Sequence, residues 1–177
     1  RITEDSIVTA DGASREVDAI IYSTGFETTT YLSAIDVIGR NEVALKDAWN
    51  DGAQAYFGIT TSGFPNLFML YGPNTNQGCI LYMLEQQVEY IMRQIKRMTD
   101  DDIAAIDLRS DVLASFNNQI QEDIGCVDVW QAECGNDFYY RSGSGRLVTQ
   151  WPHSMDAFAD RLVESDDQKI YDTTPAA

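Results

Sequence analysis

The sequence has one histidine, three cysteines and four prolines, and only 12 Lys and Arg against 28 Asp and Glu. Each shortage excludes something. A net charge of −16 argues against nucleic acid and anionic membrane surfaces as partners. It also means that any bound nucleotide should be held by backbone amides, or by basic groups outside these 177 residues. No apolar run approaches the ~18 residues that suggest a membrane-spanning helix, and no signal peptide is visible, so the expected location is cytoplasmic. Cys79, Cys126 and Cys134 form no CxxC pair and leave an odd count, as expected of reduced thiols in the cytoplasm. His153, the lone histidine, has no evident nucleophile partner and reads as a surface or capping residue. No cluster has metal-ligand spacing, and Asp100 to Asp102 lacks the alternation and closing Glu of an EF-hand loop. There is no Ser-His-Asp arrangement, no GxGxxG and no GxxxxGK[ST].

What is present is a folding chain: 44% of residues are hydrophobic and 11% aromatic, enough for one domain or two small lobes. The stretch that organises it is Tyr71 to Met98. Gly72, Pro73 and Asn74 form a turn, and Thr75 and Asn76 are suitable N-cap residues. Leu81, Leu84, Val88, Ile91, Ile95 and Met98 then follow at helical spacing, predicting a long helix that buries this stripe. Glu85 and Glu89 lie toward its positive end, and Arg93, Lys96 and Arg97 toward its negative end. A helix start beside a Gly-containing entry can receive an anion or an electron-rich ring oxygen, although most such turns are only turns.

Around that helix the reading is α/β. Ile2 to Thr9 and Arg15 to Tyr22 predict a hairpin about Asp11-Gly12. Val17 to Tyr22 suits a strand buried on both faces, ending in Ser23-Thr24-Gly25-Phe26, either a ligand-approach point or a turn leaving the sheet. Leu45, Ala48 and Trp49 suggest a short helical turn. Gln54 to Ile59 and Leu67 to Leu70 read as strands flanking the turn Gly63 to Asn66. Ile103 to Leu108 reads as a strand. A helix capped by Ser110 or Asp111 carries Leu113, Phe116, Ile120 and Ile124 and stops at Gly125. Val127 to Trp130, Phe138 to Tyr140 and Leu147 to Thr149 read as short strands, with a turn at Gly143 to Gly145. Met155 to Glu164 reads as a last helix, and Asp166 onward as a frayed polar end.

Several of these segments, in order, resemble the C-terminal part of class B flavoprotein monooxygenases. The nearest similarity is to Baeyer–Villiger monooxygenases of the 4-hydroxyacetophenone monooxygenase type. Asp18 to Phe26 resembles the family's D-x-x-x-x-A-T-G-F strand, with Ser23 in place of Ala. Val43 to Trp49 is similar to its hydrophobic-L-x-x-x-W segment, and Ala55 to Gly58 with Gly63 to Leu67 to x-Y-x-G…G-F-P-N. Tyr71 to Asn76 is similar to G-P-N-T-N. Trp130, Phe138 to Tyr140, and Gly145 to Thr149 with Trp151-Pro152 resemble a closing W…C…W-Y…G-R…T-x-W-P pattern.

The resemblance implies a Rossmann-like fold with two dinucleotide-binding domains, holding FAD and NADPH, of which this chain is a mixed α+β piece. It implies residues 1–26 as the end of the NADPH domain and linker, and 27–177 as the C-terminal part of the FAD domain. It implies cofactor-binding roles for Thr24, Gly25, Gly72, Asn74, Thr75, Asn76 and Gln77. The helix after Gly-Pro-Asn would point at the flavin pyrimidine edge, where its dipole favours negative charge. The implied reaction inserts one oxygen of O2 into a ketone, or oxidises a heteroatom, through a flavin C4a-peroxide. The family's glycine motifs, fingerprint histidine and active-site arginine lie upstream of the matched region. Neither Arg1 nor Arg15 takes that arginine's role, so no catalytic residue and no metal ligand is assigned here. The expectation is a C-terminal fragment, inactive alone, prone to self-association and partnered by the missing N-terminal part of the same protein. A chain that opens at Arg1 within a hairpin arm fits that expectation, with a trimmed or processed start as the other origin. The alternatives are a non-enzymatic binding or assembly module, and a fragment of a two-dinucleotide-fold flavin reductase.

Overall fold

In the computed structural model, residues 1–131, 140–165 and 167–176 are described. Ser6–Val8 (β1) and Ser14–Glu16 (β2) pair antiparallel, with Val8 opposite Ser14. Gly12, at φ +86°, takes the turn as Asp-Gly turns require, and its N–H donates to the Thr9 carbonyl. The hairpin is shorter than the sequence predicts. Val17 to Tyr22 is no strand at all, and Ile21, Tyr22 and Phe26 are 88%, 70% and 86% exposed. A continuous apolar run becomes a buried strand only where neighbouring strands and covering helices receive it.

The body of the molecule surrounds a helix from Ile80–Asp100 (α2). The single-turn helix Leu45–Ala48 (α1) precedes it, as expected. Ile103–Leu108 (β3), Ser110–Gly125 (α3), the single turn Asp128–Gln131 (α4) and Met155–Glu164 (α5) follow it. Asp167–Ile170 (α6) and Tyr171–Pro175 (β4) close the described chain. β4 pairs antiparallel with β3, Tyr171 opposite Leu108. The end read as frayed is therefore a sheet strand. Its sequence, YDTTP, hides this because only Tyr171 points into the core. Val127 to Trp130 is also corrected: after the α3 stop the chain folds straight into α4. Phe138 and Tyr139 lie outside the described residues. Gln54 to Ile59 and Leu67 to Met69 are buried or half-buried but irregular, and Leu70 is exposed. The two segments run together through Met69 N–H to Ile59 carbonyl (2.7 Å) and Gly72 N–H to Gly58 carbonyl (3.2 Å) rather than as a ladder. Leu147 to Thr149 likewise makes only an isolated bridge, Leu147 to Arg141.

The core gathers Tyr56, Phe57, Ile59, Met83, Tyr90, Ile106, Ile120, Trp151, Phe158 and Leu162. Phe57 is its hub, with ring centroids 4.7 Å from Phe116, 5.4 Å from Phe158 and 5.8 Å from Trp151. Burying each such side chain contributes about 1.5–3 kcal/mol. Two polar ties fasten the periphery. Asp107 of β3 accepts from Arg40 Nε (2.7 Å) and the Gly63 N–H (2.8 Å), pinning the segments before and after α1 to the sheet. His153 Nε2 lies 2.7 Å from Asp123 Oδ2, joining the approach to α5 with the end of α3. His153 is thus a half-buried tie between two elements. Burial disfavours the charged Asp123 carboxylate, but Gln119, His153 and Arg161 outweigh it and hold its pKa below the usual value.

Helix α2 begins later than predicted and buries a different face. Its N-cap is Cys79, which makes no side-chain cap, and the expected cap Thr75 lies before the helix, its Oγ1 donating to the Gly72 carbonyl at 2.7 Å. The inward residues are Met83, Gln87, Tyr90 and Gln94. The expected stripe is split: Leu84, Ile91 and Met98 are half-buried, the last two packed against the core, while Leu81 at 71%, Val88 at 43% and Ile95 at 42% are exposed.

Candidate cofactor-facing site

The turn from Gly72 to Asn76 is a buried knot, and its construction explains its residue types. A Cβ at Gly72 would sit 2.3 Å from the Gly58 carbonyl oxygen, so this close crossing of two backbones needs glycine. Gly58, at φ +67°, is equally confined: its Cβ would meet Thr75 Cγ2 at 2.3 Å. Asn74 adopts φ +57°, a conformation Asn tolerates better than most residues. It is 1% exposed; its N–H donates to Val148 carbonyl (2.8 Å), and its Nδ2 to the Leu147 and Gln150 carbonyls (both 2.9 Å). Asn76 N–H donates to Thr149 carbonyl at 2.8 Å, and Tyr71 hydroxyl to Asn76 Oδ1 at 3.0 Å. Gln87, fully buried on α2, accepts from Tyr71 N–H (2.9 Å) and donates to Phe57 carbonyl (2.8 Å). The knot is thereby held on one side by 147–151 and on the other by α2.

Two consequences follow for chemistry. The knot is stiff, because each bond removes freedom from a backbone already confined by glycine contacts. And the start of α2 lies open: Ile80 and Leu81 are 38% and 71% exposed, and no side chain caps the first turn. The first N–H groups of an α-helix have no acceptor within the helix, so this end presents donors and positive dipole to whatever adjoins it. Its entry is fixed by Gly78 at φ +58° and by Cys79 N–H, 2.9 Å from Met155 Sδ. Gln77 is exposed at the mouth of this turn.

The structure brings Gly72, Asn74, Thr75, Asn76 and Gln77 together. Asn74 and Thr75 are buried in the knot rather than aimed outward. Thr24 and Gly25 lie in an exposed segment without regular structure, Gly25 at φ +81°. Among the described residues, the hydrogen bonds that hold 71–76 run to 58, 87 and 147–151. Sequence reasoning missed Gly58, Gln87 and the 147–151 strip. The strip's backbone carbonyls, not its side chains, do the holding, so residue type carries no signal. Gln87 sits in a helix where a glutamine ordinarily marks the solvent face. Among the described residues no cluster of His, Cys, Asp and Glu could hold a metal ion, and no helix is long and apolar enough to cross a membrane.

Comparison with known proteins gives this geometry a setting. A Baeyer–Villiger monooxygenase of Pseudomonas aeruginosa is 37% identical over 153 residues, covering 85% of this chain and 29% of that protein. A monooxygenase of Sinorhizobium fredii, described as uncharacterized, is 35% identical over 170 residues, covering 94% of this chain and 25% of that protein. The solved structure of OTEMO in complex with FAD and NADP matches with a TM-score of 0.80 at 26% identity, covering 98% of this chain and 32% of that one. No protein-family model matches the chain. The chain spans about a quarter to a third of the length of these relatives. The two curated relatives are described as monooxygenases, not as reductases. Over nearly its whole length, the chain is homologous in sequence and in fold to one segment of the FAD-binding Baeyer–Villiger monooxygenases.

Proposed function

We propose that this chain is the C-terminal portion of an FAD- and NADPH-dependent monooxygenase that transfers one oxygen atom of O2 to a ketone or a soft heteroatom. The observation that carries the reading is the joint occurrence of homology along the chain and a rigid knot leading into an uncapped helix start. Bound FAD would supply the oxygen chemistry. The residues here suit that group. Gly72 lets its backbone cross that of Gly58, Asn74 and Thr75 hold the knot from within, and Asn76 and Gln77 stand at its outer edge. The first turn of α2 offers N–H donors for an electron-rich oxygen. Thr24 and Gly25 would meet the cofactor only once their segment joins a sheet. In this reading residues 1–26 end the NADPH domain, and 27–177 complete the FAD domain together with an upstream part that supplies the glycine motifs and reactive arginine. The exposed thiols of Cys79 and Cys126 suit a cytoplasmic setting.

The test is oxygen consumption with NADPH and a panel of cyclic and aryl ketones and sulfides. The chain alone should be inactive, and the chain joined to its upstream reading frame should form ester or sulfoxide. Turnover by the chain alone would refute the shared-site reading. Absence of turnover in a folded, FAD-loaded longer protein would refute the monooxygenase reading.

A further inference from the structure

Tyr71 adopts φ +55°, a conformation that Gly or Asn takes at little cost and a bulky residue takes only where its surroundings hold it there. Two bonds do the holding. The Tyr71 N–H donates to Oε1 of the fully buried Gln87 at 2.9 Å. The N–H of Gly72, the next residue, donates to the Gly58 carbonyl at 3.2 Å. The strained backbone returns the Tyr71 ring over the turn, where its hydroxyl donates to Asn76 Oδ1 at 3.0 Å. Burial raises the Tyr71 phenol above its ordinary pKa, so it stays protonated and able to donate at neutral pH. Asn76 is then held at three points. Its N–H donates to the Thr149 carbonyl (2.8 Å), its carbonyl accepts from the Trp151 N–H (3.4 Å), and its Oδ1 accepts from Tyr71. Its Nδ2 is the one polar group left. Among the described residues that group has no acceptor, and it is not buried. An amide whose oxygen is engaged has its two N–H donors aimed in a set direction.

We infer that Tyr71 is a positioning residue: its hydroxyl locks the Asn76 amide so that Nδ2 meets an electron-rich oxygen of the bound flavin beside the start of α2. The inference rests on the reading above that this knot receives FAD. A tyrosine at 71 needs such a reason. The turn asks only for a left-handed backbone, which Gly supplies without strain. The core asks for a buried ring, yet Tyr71 is 36% exposed. The hydroxyl, and its reach to Asn76, accounts for the choice. A donor whose direction is set before the ligand arrives loses less freedom on binding, and it acts most strongly on a group that gains negative charge. Reduction makes the flavin more electron-rich, so this donor should favour the reduced cofactor over the oxidised.

The test is the flavin midpoint potential of the chain joined to its upstream reading frame and loaded with FAD. The unaltered protein is compared with Tyr71→Phe, with Asn76→Ala and with the double variant. Tyr71→Phe keeps the ring and removes only the hydroxyl. It should weaken binding of the reduced flavin relative to the oxidised by roughly tenfold, which lowers the midpoint by about 30 mV for a two-electron couple. Asn76→Ala should lower it at least as far. The double variant should go no further than Asn76→Ala alone, because Tyr71 acts through Asn76. An unchanged potential in either single variant would overturn the inference, since a merely structural hydroxyl would lower the melting temperature and leave the potential where it was. Additive shifts would also overturn it, because the two side chains would then act apart. Retained FAD with an unmoved potential defeats the inference alone. A longer protein that folds and retains no FAD defeats the flavin reading, and the inference with it.

Discussion

Two stretches of this chain, VDAIIYSTGF at 17–26 and QAYFGITT at 54–61, carry similar apolar and small residues and meet opposite fates. In the second, Ala55, Phe57 and Ile59 are 0–3% exposed. In the first, Ile21, Tyr22 and Phe26 are 70–88% exposed. Neither forms a regular strand. The difference is in what surrounds them. The second is roofed by α2, braced by Gln87 and packed on Phe116, Trp151 and Phe158. Among the described residues, none closes over Ile21, Tyr22 and Phe26 of the first. Apolar sequence states a demand for burial; only the fold states whether the demand is met. On the proposed reading of a chain that spans a quarter to a third of its relatives, the unmet residues would mark where the rest of the protein belongs.

The comparison can be broken from the buried side first. Trp151 is fully buried between Phe57 and Phe158, and its Nε1–H donates to the Ser154 carbonyl at 3.0 Å. Trp151→Ala should lower stability by about 3–5 kcal/mol through lost transfer energy and the cavity left behind. Urea unfolding followed by far-UV circular dichroism would measure it, and a loss below ~1 kcal/mol would mean that the core around Phe57 is not packed as described. From the exposed side, Ile21→Asp should change the stability of the chain alone by less than ~0.5 kcal/mol, as for surface substitutions generally. The same change in the longer protein should cost several times more if residues 17–22 there become a buried strand. An equal, small effect in both settings would mean that this segment is surface in the intact protein too.

What the sequence made legible follows from the same logic. The Asp11-Gly12 hairpin, β3, α3 and α5 were readable because their signals are local: a turn dipeptide, an apolar run, a helical period. So was the Gly72–Asn76 turn, since Gly, Pro and Asn declare their backbone. The expected cap of α3 is corrected, since Ser110 is its first residue, its N-cap is Arg109 and no side chain caps it. Three things were hidden. β4 has one inward residue, Tyr171, and alternation cannot be seen in a single point. The segments 54–59 and 67–70 are apolar without being strands, because their partners are a glycine crossing and a glutamine side chain rather than a ladder. And α2 displays an apolar stripe that outweighs its true inner face. Gln87 and Gln94 are both 0% exposed, a placement no periodicity rule assigns to glutamine. The helix was legible, but which side of it lies in this chain was not.

The central claim is that this chain holds part of a flavin site completed by the rest of the protein. Its most direct test is the visible spectrum of purified protein after FAD addition and desalting. The chain alone should lose its flavin, and the chain with its upstream sequence should keep it, with a shifted and resolved band. A flavin that survives desalting on the chain alone would contradict the claim that these residues supply only one wall of the site.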